Sequence, residues 1–395
     1  MSEPFDPTAP LPAPPDPWAD YDVPSQRDGP PYHMTDMIAA EPHLAPRLLG
    51  RLLSSDSAAA ELAKGVRDAI AKGAPVFFVG CGTSEHAAMG AVEIVGEAAR
   101  VAAPRYTGIA AIEAFEASLQ PLGGGLVVGI SHEGGTAATR AALERARAAG
   151  ARTAVITAGR ASPAAQLADI VLTTDEMDQS YCHTIGYVSP LLAATAVASH
   201  LRGETPDPAA VGALVGAGLQ EEPAEAIADV IGTADRIVVA ASGADRPAGR
   251  ELAIKIEEAS WLPTTMRDLE TLLHGHLPAT DASTGLVLIL TDRDQRAERL
   301  ARARDALASV AVIGLRSAAI LAAEPASEVP DRLTPAGRIV VPEAPALPTA
   351  VAALLGSAVP LQLITERIAR VRGTNPDPIR RDDPIYREAA SVSGT

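Results

Sequence analysis

Two glycine- and hydroxyl-bearing turns, each placed where an apolar strand gives way to a helix, are the stretches of this chain best suited to hold a ligand. The first reads Gly80-Cys81-Gly82-Thr83-Ser84 and follows the apolar run 76–79; the second reads Ser131-His132-Glu133-Gly134-Gly135-Thr136 and follows a β-branched run ending at Ile130. Unpaired N–H groups at a helix start, together with short hydroxyls at the carboxyl end of a strand, make a pocket for an anion or a polyol. Their closeness in sequence suggests one shared small-molecule site. Cys81, between two glycines, reads as a small packing residue rather than a nucleophile. The chain has only two cysteines, Cys81 and Cys182, which cannot build a disulfide framework and lack metal-ligand spacing.

The elements that position these turns alternate along the chain. Strands are expected at 76–80, near 101–106, and at 125–130, 152–157 and 169–173, with helices from about Ser84, at 109–118, 136–149 and 189–201. The pattern then repeats, with strands at 236–241, 286–290, 310–314 and 337–341 and helices at 247–260, 295–308 and 347–372. Strands alternating with helices of ten to fifteen residues indicate an α/β fold with parallel, doubly wound sheets. At 395 residues the chain exceeds one comfortable core, so two copies of such a unit are expected, 34–203 and 209–372, with a Gly- and Pro-interrupted linker between. Residues 1–33, rich in Pro, Asp and Ala, read as a flexible arm, and 373–395 as a C-terminal tail over the site.

Composition narrows the function. A formal charge of −16 argues against sequence-independent nucleic-acid binding, which needs clustered Lys and Arg. No apolar run reads as a membrane span and the N-terminus lacks a secretion profile, so a soluble, cytoplasmic protein is expected. Hydrophobic residues make up 47% of the chain but aromatics only 3%, so Ala, Val, Leu and Ile must fill the core. Lysine occurs only as Lys64, Lys72 and Lys255.

The two turns, Gly80-Cys81-Gly82-Thr83-Ser84 and Ser131-x-x-Gly-x-Thr136, followed by a second copy of the unit, resemble the tandem sugar isomerase (SIS) domain family. The likeness covers about residues 34–380 and is nearest to the isomerase half of the family's glucosamine–fructose-6-phosphate aminotransferases. It implies two three-layer α/β/α units, each with a five-stranded parallel sheet, usually paired as a homodimer, with no cofactor and no metal. It does not extend to the glutaminase half: position 2 is Ser, and glutamine-dependent ammonia transfer is not expected of this chain alone.

The resemblance also implies roles. Phosphate ligands correspond to Ser84, Ser131 and Thr136, with Cys81, Gly82, Thr83, His132 and Gly134 adjoining. Where the family usually has Ser-Gln-Ser-Gly-Glu-Thr, this chain has Glu133 in place of a phosphate-binding serine. A carboxylate beside a phosphate is repulsive, so Glu133 turns away, His132 compensates as a cation, or the sugar carries no phosphate. Glu258, in Lys255-Ile256-Glu257-Glu258-Ala259-Ser260-Trp261, falls on the enolisation glutamate; read without the family, Glu257 and Glu258 are a solvated helix face. Thirteen residues beyond Trp261, His274 precedes Gly275 and matches a ring-opening histidine that the family delivers to the neighbouring subunit; its imidazole suits acid–base work near neutrality. Glu270 sits one position from the family's nearby glutamate, and Thr184 matches a contact to sugar hydroxyls. The tail has no lysine to form an imine, and arginine cannot replace one; Arg380 and Arg381 are instead either a clamp for a substrate anion or part of a solvated tail.

These residues together lead to a sugar or sugar-phosphate aldose–ketose isomerase, or an amino-sugar deaminase or deglycase, working by proton transfer through Glu258 and His274. The hydroxyl-bearing turns, the carboxylate and the imidazole are expected to enclose a single carbohydrate. A non-catalytic sugar-binding module, or the sugar-binding subunit of an aminotransferase complex, are the alternatives. The partners expected are a small sugar or sugar phosphate and a second copy of the chain, with neither nucleic acid nor membrane.

Overall fold

Short Val-, Ile- and Leu-rich runs too brief for helices, each followed by an Ala-rich amphipathic stretch, fold here into two parallel sheets covered by helices. A computed structural model describes residues 5–19 and 26–393, which divide into two units that are not continuous in sequence. The first gathers the described residues up to 19 with Ala40–Asp178 and Ile185–Gly212; the second gathers 26–39, Gln179–Thr184 and 213–393.

In the first unit, β1 (Val76–Gly80), β2 (Ile109–Glu113), β3 (Leu126–Ile130), β4 (Arg152–Thr157) and β5 (Ile170–Thr173) form a parallel sheet in the order β2-β1-β3-β4-β5. β3 is buried along its whole length, as expected of a central parallel strand read from a continuous apolar run. Val79, Val127 and Val155 pack with Leu143 of the helix Ala137–Ala148 in one core on the sheet. The order reverses between β1 and β3, so the crevice outside their carboxyl ends is the place where a doubly wound sheet takes a ligand. Both turns singled out in the sequence lie there.

One pair of expectations fails in this unit. Residues 101–106 are not a strand: the helix Thr83–Ala102 runs through Val101, which is exposed, and the strand is instead Ile109–Glu113, where a helix was read. Ile109-Ala110-Ala111-Ile112 carries two helix-favouring alanines, and only pairing with β1 along the sheet edge makes it extended.

The second unit holds β6 (Arg236–Ala240), β7 (Thr264–Arg267), β8 (Thr284–Leu290), β9 (Arg316–Ala322) and β10 (Gly337–Val341), again parallel, in the order β10-β9-β8-β6-β7. The strand read at 310–314 is wrong. Val310–Ile313 end the helix Arg296–Ile313, which Gly314 terminates in the left-handed conformation at φ 92°, and β9 starts just beyond. The edge strand β7, polar and only four residues long, escaped the sequence reading. The helix Thr349–Arg372 is long and apolar enough to cross a membrane, yet 94% of its apolar window is buried, which makes it the core helix of this unit.

Candidate functional site

The first unit's two turns are shaped by close backbone approach. A Cβ at Gly80 would run into the carbonyl of Ser84, so only glycine lets β1 turn directly into the helix Thr83–Ala102. Gly134, at φ 76°, has the side chain of Ser162 where its own Cβ would lie. Both helices begin without a side-chain cap, at Gly82 and at Thr136. The N–H groups of Gly134, Gly135 and Thr136 donate to no acceptor among the described residues. The Ser131 and Thr136 hydroxyls are 3.4 Å apart, so one anion can meet both. Thr83 is buried, while Ser84 and Gly82 are half-buried.

His132 and Cys81 are shaped as structural members of this region. The His132 ring is buried and its Nε2 accepts the backbone N–H of Asp178 at 3.0 Å, which an imidazolium cannot do. Its carbonyl takes Ala158 N–H and the Thr157 hydroxyl, so the loop is pinned to the end of β4. In this arrangement His132 is not the cation that would offset Glu133. Cys81 donates to Glu113 at 3.4 Å and neighbours Thr139 in the first turn of the other helix, so it joins the two turns by packing. Burial first, then the Glu113 carboxylate, pushes its thiol up to about 11, out of the range of a working nucleophile.

The second unit builds its chemistry on the helix Arg246–Ser260. Lys255 and Glu251 are fully buried one turn apart, with 3.7 Å between ammonium and carboxylate, and Lys255 also pairs with Glu258, three residues on. Burial opposes the lysine's charge, but the Glu258 carboxylate, with Cys182 and Glu251, holds it above the ordinary lysine range. Glu258 is thereby fixed with one side on a buried cation and the other, 22% exposed, toward a cavity of about 390 Å³. Glu257 accepts the N–H of Thr264 at 3.1 Å and so braces the start of β7.

Trp261 ends this helix in the left-handed conformation, and its ring forms part of the cavity wall. The opposite wall is the C-terminal tail. Ile379 and Arg380 both have positive φ, 42° and 65°, and the Arg380 guanidinium is held between Trp261, 4.3 Å from the ring centre, and Tyr386 at 3.8 Å. Two successive non-glycine residues in that region persist only where their surroundings hold them. The holder is Asp377, fully buried, whose carboxylate accepts the N–H groups of His33 and Met34 at 2.9 Å at the start of the helix His33–Leu52.

His274 does not line this cavity. It is 72% exposed on a π-helical turn, Leu272–His276, and its Nε2 lies 2.5 Å from Glu270, which also binds Arg302. Leu269 and Leu272 anchor that turn in the core. Thr184 is buried in the second unit, and its carbonyl accepts from Gln362 at 3.4 Å. The structure thus gathers Ser84, Ser131, Thr136 and their neighbours at one sheet crevice, gathers Glu258 and Arg380 in one cavity, and leaves His274 outward. The Lys255–Glu258 pairing was missed in the sequence although its signal, Lys-x-x-Glu on one helix face, was present.

Comparison with known proteins fits this geometry. Residues 69–200 match the SIS domain family. The chain is 27% identical over 322 residues to glutamine–fructose-6-phosphate aminotransferase [isomerizing] of Gloeobacter violaceus; that stretch is 76% of this chain, which spans only half the length of that relative. Two solved structures share the fold. The C-terminal domain of glucosamine-fructose-6-phosphate aminotransferase from Francisella tularensis has a TM-score of 0.74 at 20% identity, covering 89% of this chain and 99% of that one. Tagatose-6-phosphate ketose/aldose isomerase from Escherichia coli has a TM-score of 0.72 at 18% identity, covering 90% and 97%. Residues 69–200 thus match the SIS domain, and the chain has the two-sheet fold of these solved structures.

Proposed function

We propose that this protein is an aldose–ketose isomerase of a sugar phosphate, in which Glu258 moves a proton between the carbonyl carbon and the hydroxyl-bearing carbon beside it, and that the Ser84 and Ser131–Thr136 turns of the first unit bind phosphate. The observation that carries the reading is Glu258 itself: one carboxylate, paired with a buried lysine, on the wall of a cavity of about 390 Å³ that Arg380 also lines. A base in that position takes the proton from one carbon and returns it to the next. The nearby guanidinium stabilises the negative charge that develops on the enediol oxygens. No lysine in the tail is required for this chemistry, since nitrogen transfer is not part of it. His274 takes the role of opening the sugar ring, and its exposure suits delivery to a second copy of the chain in a homodimer.

Ketose and aldose 6-phosphates incubated with the purified chain test this directly by NMR. Interconversion without added protein supports the isomerase. Turnover that starts only when a second protein supplies ammonia would favour the subunit of an aminating complex, and binding without turnover would favour a sugar-binding module.

A further inference from the structure

The described N-terminal residues are stitched to the first unit's sheet. Leu11, itself buried, donates its N–H to the Glu176 carboxylate at 2.9 Å, and Met177 N–H donates to the Pro12 carbonyl at 2.9 Å. The Pro14 ring lies over Gly159, where an added Cβ would come within 2.8 Å of it. Trp18 donates its indole N–H to the Glu133 carbonyl at 3.0 Å, and its ring lies 3.0 Å from where Gly135 would carry a Cβ. Arg47 reinforces the far end, with a fork on Glu176 at 3.0 and 2.8 Å and a bond to the Thr8 carbonyl at 3.1 Å.

These anchor points have an order. Glu176 and Met177 follow β5, Gly159 follows β4, and Glu133 and Gly135 follow β3, so residues 11–18 cross the carboxyl ends of three adjacent strands. The strap stops with Trp18 on the Ser131–Thr136 turn, beside the β1–β3 switch point. Proline at 7, 10, 12, 14, 15 and 17 fixes φ along most of its length, so little chain entropy is lost in laying it down. Trp18 is one of only two tryptophans, and its half-buried ring is held in one orientation by its own N–H.

We propose that Trp18 is a substrate-binding residue: its indole forms a wall of the first unit's site and contacts the sugar carbons of a ligand whose phosphate sits on the Ser131–Thr136 turn. The inference rests on the sugar-phosphate reading above. An indole suits the task because its flat face packs on the C–H side of a sugar while its N–H, already used, gives the ring a fixed place. Phosphate alone touches the turn and not the ring.

Calorimetric titration of the full-length chain tests this, using fructose 6-phosphate, glucose 6-phosphate, glucosamine 6-phosphate, tagatose 6-phosphate and inorganic phosphate. Trp18→Ala is expected to weaken the best sugar phosphate roughly tenfold, the loss of about one aromatic contact, while inorganic phosphate binds as before. Trp18→Phe keeps a ring and removes the N–H, and should recover most of the affinity. Ligand-induced change in tryptophan emission should be larger in the wild type than in Trp18→Phe. Equal weakening of sugar phosphate and inorganic phosphate by Trp18→Ala would overturn the proposal, since Trp18 would then only order the turn. So would unchanged affinity for the sugar phosphate; in both cases the sugar-phosphate reading would stand. Failure of every sugar phosphate to bind the wild type would remove that reading and the proposal together.

Discussion

The guanidinium of Arg380 lies 4.3 Å from the ring centre of Trp261, the residue that ends the helix carrying Glu258. The tail is thereby closed onto the end of that helix by an aromatic contact, with Tyr386 on the other side at 3.8 Å. Such a contact is worth on the order of 1 kcal/mol where it is partly desolvated, which adds to the hold of Asp377 on a turn that contains two left-handed residues. Under the proposed mechanism, Arg380→Ala should lower kcat/KM by roughly ten- to a hundredfold, because it would remove both a cation for the enediol and the stacking that closes the tail. Arg380→Lys should recover only part of this, since an ammonium lacks the planar face. Steady-state kinetics on the three proteins decide it; an Arg380→Ala enzyme with wild-type kcat/KM would show that the tail is not part of the active site.

Lys255 should matter for stability as well as turnover. Replacing it with Met takes the ammonium away from Glu251, which is fully buried, and from Glu258. Breaking a buried ion pair in this way costs about 3–5 kcal/mol. Urea unfolding should show a loss of that order, and adding Glu251→Gln should recover part of it. A Lys255→Met protein as stable as the wild type would mean that the buried charges are not coupled as the geometry indicates.

Much of this was legible in the sequence, for reasons that can be named. β1, β3 and β4 are continuous apolar runs bounded by glycine and polar turns, and the turns after β1 and β3 were read directly from glycine and hydroxyl spacing. What was lost depended on partners distant in sequence. Ile109–Glu113 is extended only because β1 pairs with it, and Thr264–Arg267 is too short and polar to declare itself. Arg380 was legible as a cation in the tail, but the Trp261–Tyr386 sandwich joins residues far apart in the chain. Residues 5–19 carry no hydrophobic period, and their course is set by separate hydrogen bonds to the loops after β3 and β5, such as those of Leu11 and Trp18. Composition alone gives no hint of such a path.

Neither cysteine should behave as a nucleophile. Burial lifts the Cys81 thiol from 9.0 to about 11, and burial lifts Cys182 well above the ordinary value too. The folded state therefore binds a proton at Cys81 that the unfolded chain has released between those two values. This group's stabilising contribution is complete below pH 9 and is lost as pH rises through about 11. Iodoacetamide at pH 7.5 should modify Cys81 on the order of a hundredfold more slowly than an unhindered thiol, with mass spectrometry as the readout. Rapid labelling of Cys81 in the folded protein would contradict the assignment of this thiol to packing.

Glu133 is the residue at which the Ser131–Thr136 turn departs from the pattern of the family it resembles. If the ligand is phosphorylated, Glu133→Ser should strengthen its binding roughly tenfold by removing a like charge from the turn, and fructose 6-phosphate should raise Tm more than fructose does. A thermal-shift series on the two proteins reads both effects. Free fructose protecting better than its 6-phosphate would mean that the natural ligand carries no phosphate at this turn.

Proton transfer by Glu258 is most directly followed as solvent deuterium entering C1 or C2 of a sugar phosphate during turnover in D₂O. The wild-type chain is expected to incorporate deuterium, and Glu258→Gln, which keeps the shape of the side chain and removes its basicity, to lose the exchange by a factor on the order of a thousand. Exchange that continues at the wild-type rate in Glu258→Gln would contradict the account.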